Sequence, residues 1–114
     1  MSKRLLKVNA LIREEVAKII LREIECPEDV LITVTRVETT PNLAESTVFV
    51  SVMPEQKEEK ILGILEKNVY FLQQKINERL RMRPIPRIGF RGEEKTKEAA
   101  RIEKILERLK KEKN

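Results

Sequence analysis

Residues Val30–Met53 read VLITVTRVETTPNLAESTVFVSVM. From Val30 to Glu38 β-branched residues dominate, and Val30, Ile32 and Val34 alternate with Leu31, Thr33 and Thr35, the period of a strand. Thr39-Thr40-Pro41-Asn42-Leu43 carries turn chemistry. From Glu45 to Met53 a second strand sets Val48, Val50 and Val52 on one face and Thr47, Phe49 and Ser51 on the other. Two strands joined by so short a loop form an antiparallel hairpin, which Pro54 ends.

The flanks of the hairpin are helical. Before it, Leu5, Val8, Ile12, Val16, Ile19 and Ile20 recur at steps near 3.6 and define one apolar face of a helix over residues 3–24. Pro27 stops this helix near Ile24, because the residue before proline avoids the helical region. After the hairpin, Ile61, Leu65, Val69, Leu72, Ile76 and Leu80 keep a helical step from Gln56 to Met82. An unbroken helix of that length would be about 40 Å long, more than a small domain can cover. Burying both Leu62–Leu65 and Ile76–Leu80 on one sheet therefore requires a bend. Asn68 is the expected place, since its side chain can compete for local backbone hydrogen bonds. Tyr70 then projects outward beside the basic edge, where it either stacks on RNA or covers the joint; one lone aromatic favours covering. Pro84 and Pro86 end the helix. Ile85–Arg91 reads as a short strand suited to an edge. Glu93–Lys111 reads as a last helix with Ala99, Ile102, Ile105, Leu106 and Leu109 as its stripe, and residues 110–114 as a frayed tail. The expected architecture is α+β: one domain over residues 1–114, a three-stranded sheet with helices on one face.

Composition excludes several classes of function. The chain has 114 residues, 40% hydrophobic and 38% charged, with one cysteine, three glycines and no histidine. Without histidine there is no Ser-His or Cys-His pair and no imidazole metal ligand. No phosphate-cradling glycine loop is spelled. Adjacent acids such as Glu14-Glu15 and Glu58-Glu59 point to different sides of a helix and cannot converge. Cys26, beside Pro27, reads as a structural thiol. No apolar run reaches the roughly 20 residues of a membrane span, and the N-terminus does not resemble a secretory signal. These features lead us to expect a cytoplasmic, non-enzymatic protein with no cofactor, no metal and no small-molecule substrate.

Charge is distributed unevenly. Residues 2–24 carry six basic and three acidic side chains, residues 25–72 four and nine, residues 73–91 six and one, and residues 92–114 eight and six. A basic face aimed at a polyanion follows. The candidate contacts are Arg4, Lys7, Lys18 and Arg22 on one stripe of the first helix, interrupted by Leu11 and Glu15. To these are added Lys75, Arg79, Arg81, Arg83, Arg87 and Arg91, most of them expected at one edge of the domain. With one tyrosine and no tryptophan, a ladder for stacking single-stranded bases is missing, so folded RNA read by backbone and shape is the expected partner. Gly89-Phe90-Arg91-Gly92 spells the G-x-x-G of K-homology domains. Here it follows a strand instead of joining two helices, so a structural role is expected, with Phe90 packed inward. The competing class is a protein-interaction module whose basic edge meets an acidic partner. A general structured-RNA-binding role is the other alternative.

Several stretches resemble the ribosome-binding factor A family. Ile32–Leu43 followed by Thr47-Val48-Phe49-Val50-Ser51 is similar to the family's strand, turn and "V-Y-V-S" strand. Leu80-Arg81-Met82-Arg83 and Pro86-Arg87-Ile88-Gly89-Phe90 resemble its passage into the third strand. Arg22-Glu23-Ile24 is similar to the end of its first helix, and Arg101-Ile102 with Ile105-Leu106 to its last. The resemblance runs from about Lys7 to Leu109. It implies a type II K-homology-like fold without the clamping loop, in the order α-β-β-α-kink-α-β-α. The family's Ala-x-Gly kink is replaced here by Asn68-Val69-Tyr70. The resemblance further implies a monomeric assembly factor in ribosome biogenesis. Such a factor binds the immature 30S subunit and its 16S rRNA near the 5′-terminal helix and decoding region, assists late rRNA processing and supports growth in the cold.

Overall fold

In a computed structural model, residues 2–93 are described. Their elements are α1 (Lys3–Glu23), β1 (Leu31–Thr39), β2 (Glu45–Met53), a 3-10 turn (Glu55–Lys57), α2 (Glu58–Lys67), α3 (Val69–Arg79) and β3 (Arg87–Gly92). The helix expected over residues 93–111 and the tail lie outside the described residues apart from Glu93, which directly follows β3.

Helix α1 starts where Ser2 accepts a hydrogen bond from Leu5 N at 3.2 Å, satisfying one of the amides a helix leaves free. It ends at Glu23, ahead of Pro27, and Pro27 O then accepts from Val30 N to close the turn into β1. Five of the six expected apolar positions, from Val8 to Ile20, are buried, and Leu5 is half-buried.

The hairpin pairs β1 with β2 antiparallel, and β3 adds to β2 in parallel, giving the order β1-β2-β3. The simple alternation expected in β1 fails at one point. Val34 pairs with Val50, but Arg36 pairs with Phe49, so Thr35 is an extra residue in a β-bulge. The bulge brings Val34 and Val37, three residues apart, to the same buried face. It also aims Arg36 at the other face, where its guanidinium lies 3.8 Å from the centroid of Phe49. That cover explains why Phe49, on the helix-free side, is only 9% exposed.

On the helical side Val34, Val37, Val48, Val50, Val52, Ile88 and Phe90 meet the apolar stripes of all three helices in one core. Phe90 packs inward, as expected. Gly92 lets Glu58 of α2 approach, since a Cβ there would collide with the Glu58 carboxylate. A part-buried polar chain links the layers. Thr39 Oγ1 lies 2.5 Å from Asn9 Oδ1 on α1 and 2.7 Å from the buried Ser46 hydroxyl on β2.

The apolar stripe after the hairpin is split in two. Helix α2 ends at Lys67 and α3 begins at Val69. Asn68 takes φ −101° and ψ 8°, and its Nδ2 donates to Ile64 O at 2.8 Å. The side chain thus occupies a carbonyl at the C-terminal end of α2. The break lets Ile61 and Leu65 pack in front of β2 and β3, while Leu72 and Ile76 pack between β3 and α1. Tyr70 does project outward, but it is 75% exposed and so does not cover the joint; half-buried Val69 does. Among the described residues no helix is long and apolar enough to cross a membrane.

Two outcomes follow from this packing. Leu43 is buried in the core yet holds φ 60°, a conformation that favours glycine. Leu43→Ala is expected to lose about 2–5 kcal/mol of stability through the cavity it leaves. Leu43→Gly is expected to lose no more than that, because glycine relieves roughly 1–2 kcal/mol of left-handed strain; urea unfolding of the pair checks the order. For Asn68→Ala we expect a loss of less than about 1.5 kcal/mol, with the break retained because the two halves must still reach the sheet. Backbone chemical shifts across residues 66–71 of the variant test this, and one continuous helical run would show that the asparagine alone sets the break.

Candidate nucleic-acid interface

At 100° per residue, Arg4, Lys7, Leu11, Glu15, Lys18 and Arg22 fall within roughly 80° of arc on α1. This stripe borders the buried face on the side of α3. The contact that shows it is an ion pair between Glu15 and Arg79 of α3, with Oε2 and Nε 3.6 Å apart. Glu15 also lies 3.9 Å from Lys18 Nζ, which bonds Glu14 at 3.2 Å. The residue that interrupts the stripe in sequence is therefore the link between the two helices. Its side chain is only 19% exposed, and its Oε2 has no hydrogen-bond partner closer than the arginine.

One turn before Arg79 on the same side of α3 stands Lys75, with its Nζ 5.5 Å from the centroid of Phe71. Leu11 and Phe71 are 39% and 38% exposed. The two helices thus present cations around apolar, partly open side chains, a surface suited to phosphate oxygens and sugar faces. Phe71 and Glu15 escape a reading that counts cations alone. The spacing of Phe71 to Lys75, i to i+4, is the signal that would find the pair.

The ten basic positions do not share one surface. Arg4, Lys7, Lys18, Arg22, Lys75 and Arg79 belong to the α1/α3 side. Arg81 and Arg83 are exposed in the segment after α3, where Arg83 Nη1 donates to Met82 O at 2.9 Å. Arg87 and Arg91 lie elsewhere. Ile88 and Phe90 point into the core, so the alternation of β3 turns Arg87 and Arg91 to the helix-free face of the sheet. There they face Glu45 and Phe49 across the ladder and border a shallow recess that also includes Glu66. The expectation of a single basic edge fails because strand alternation separates neighbours that a helix end would have kept together.

The same face carries Arg36, which is held by Glu38 and by Glu93 at 3.1 Å. Burial pushes the Cys26 thiol above its ordinary pKa, opposite to what a nucleophile needs. Among the described residues no cluster of Cys, Asp and Glu side chains is placed to hold a metal ion.

The family model for ribosome-binding factor A matches residues 4–106. The ribosome-binding factor A of Thermodesulfovibrio yellowstonii is 37% identical over 109 residues, covering 96% of this chain and 92% of that protein. The crystal structure of ribosome-binding factor A from Thermus thermophilus superposes with a TM-score of 0.67 at 26% identity, over 77% of this chain and 94% of that one. A homology model of the Thermus thermophilus factor, fitted into a map of its complex with the 30S subunit, superposes with a TM-score of 0.63 at 29% identity, over 73% of this chain and 88% of that one. The fold is the K-homology-like α+β arrangement of these structures, and the chain belongs to the ribosome-binding factor A family.

Proposed function

We propose that this chain is a non-catalytic assembly factor that binds the immature 30S subunit and its 16S rRNA and assists late rRNA maturation. The observation that carries the reading is the convergence of the α1 cations with Lys75 and Arg79 of α3 on one surface, joined by the Glu15–Arg79 pair. A structured RNA offers closely spaced phosphates to such a surface, and the exposed Leu11 and Phe71 can lie against sugars or an unstacked base. The chain's family supports the small subunit as the particle, as does the 30S complex of the Thermus thermophilus relative. Contact near the 5′-terminal helix and the decoding region is the finer part of the proposal. The chain works in this reading as a cytoplasmic monomer and by occupancy: it holds an rRNA arrangement and forms no bond with it.

The test is co-sedimentation with precursor 30S particles across a salt series. Each phosphate contact contributes a slope of roughly −0.7 to −0.9 to the logarithm of affinity against that of salt. The triple change Lys7→Glu, Lys18→Glu and Lys75→Glu is expected to flatten the slope by about two to three and to weaken binding by more than about tenfold. Arg87→Glu with Arg91→Glu, on the opposite face, is expected to do much less. Salt-independent association, or a larger loss from the β3 pair than from the helix triple, overturns the assignment of this surface.

A further inference from the structure

The two edges of the sheet are treated differently. At β3, Gln73 of α3 covers the start of the edge: its Oε1 accepts from Ile88 N at 2.8 Å and its Nε2 donates to Pro86 O at 3.2 Å. At β1 the covering is slight. Arg13 Nε donates to Val34 O at 3.4 Å, which shows that the Val34 carbonyl points away from β2. The N–H and C=O of one residue in an antiparallel strand point the same way, and the direction alternates. Those of Ile32 therefore also point outward, and among the described residues they have no partner.

Beside this edge α1 and β1 enclose a groove of about 830 Å³. Ile20, Ile24, Cys26 and Ile32 line it, and at its rim Leu21 and Leu31 are 86% and 64% exposed. The surroundings are acidic. From Glu23 to Thr35 the chain carries four carboxylates, on Glu23, Glu25, Glu28 and Asp29, and no base, in a protein of net charge +5. Glu28 borders the groove, as does Glu14, which is paired with Lys18; its one lining cation, Arg13, is engaged by the strand.

We propose that this edge and groove bind a basic, extended peptide segment of a partner protein as a fourth strand. Its backbone pairs with Ile32, alternate apolar side chains enter the groove, and its cations meet the acidic rim. Strand addition of this kind draws affinity from main-chain hydrogen bonds and specificity from alternate side-chain pockets. The other occupants fit worse. An RNA would meet Glu28 and the neighbouring carboxylates here, while the one lining cation, Arg13, is engaged by the strand. A second copy, edge to edge, would bring two sets of four acids together. Residues 94–114 place Ala99, Ile102, Leu106 and Leu109 at helical spacing, which does not suit a strand. The groove thus takes a different partner from the α1/α3 surface.

The test is an NMR titration of the full chain with the peptide Lys-Val-Lys-Ile-Arg-Val-Lys. Saturable shifts are expected at the amides of residues 20–34, with little change on the outer stripe of α1 and on α3. The same peptide N-methylated at alternate residues, and its all-glutamate counterpart, are expected to bind at least about tenfold more weakly. Leu21→Ser with Leu31→Ser, both at exposed positions, and Glu28→Lys are each expected to weaken binding several-fold without altering the rest of the spectrum. Shifts confined to α1/α3, or equal binding of the N-methylated peptide, overturn the proposal. So does a free chain whose Cys26, its only cysteine, carrying a photocrosslinker, couples to residues 94–114 or to a second copy.

Discussion

A three-stranded sheet with one covered face offers little length for helices to lie on. The apolar stripe that runs from Ile61 to Leu80 is longer than that face, and most of the architecture follows from fitting it. Had the stripe stayed on one rod, Ile61 and Leu65 or Leu72 and Ile76 would have been left in water, at roughly 1.5–3 kcal/mol for each large side chain. Breaking at Asn68 buries all four. The bent pair also delivers α3 to α1, which is what creates the candidate RNA surface.

The electrostatics depend on that delivery. Glu15 would be an ordinary surface carboxylate on an isolated α1. Against α3 it is mostly covered, and it positions Arg79 while standing near Lys18. An ion pair this close to the surface contributes little to stability. Its consequence is geometric: cations from two helices are held side by side, spaced for a polyanion. The basic surface and the acidic groove at the β1 edge lie on different flanks of α1, so the net charge of +5 conceals two surfaces of opposite preference.

Much of the fold was legible in the sequence because its signals are local. Proline at 27, 54, 84 and 86 marks the limits of elements, β-branched alternation marks the hairpin, and the 3.6-residue period marks the helices. Even the break at Asn68 could be read, since it follows from comparing a helix length with a domain size. The bulge at Thr35 could not. It is a matter of register between two strands, and only the pairing of Arg36 with Phe49 reveals it. The capping of Ile88 N by Gln73 at the start of the β3 edge was hidden for the same reason, because the partners are 15 residues apart in the chain.

The candidate site divides along the same line. Residue order alone establishes that six cations sit between residues 73 and 91 against one acid, and that the first helix carries a basic stripe. Which of them share a surface is settled by packing. Periodicity along a helix fixes where a side chain points on that helix, but not what faces it. Strand alternation likewise fixes the face of Arg87 and Arg91 only once Ile88 and Phe90 are known to be inside. Charge is a property of residues, whereas a binding surface is a property of distances between elements, and those distances are set by the burial of apolar stripes against one face of the sheet.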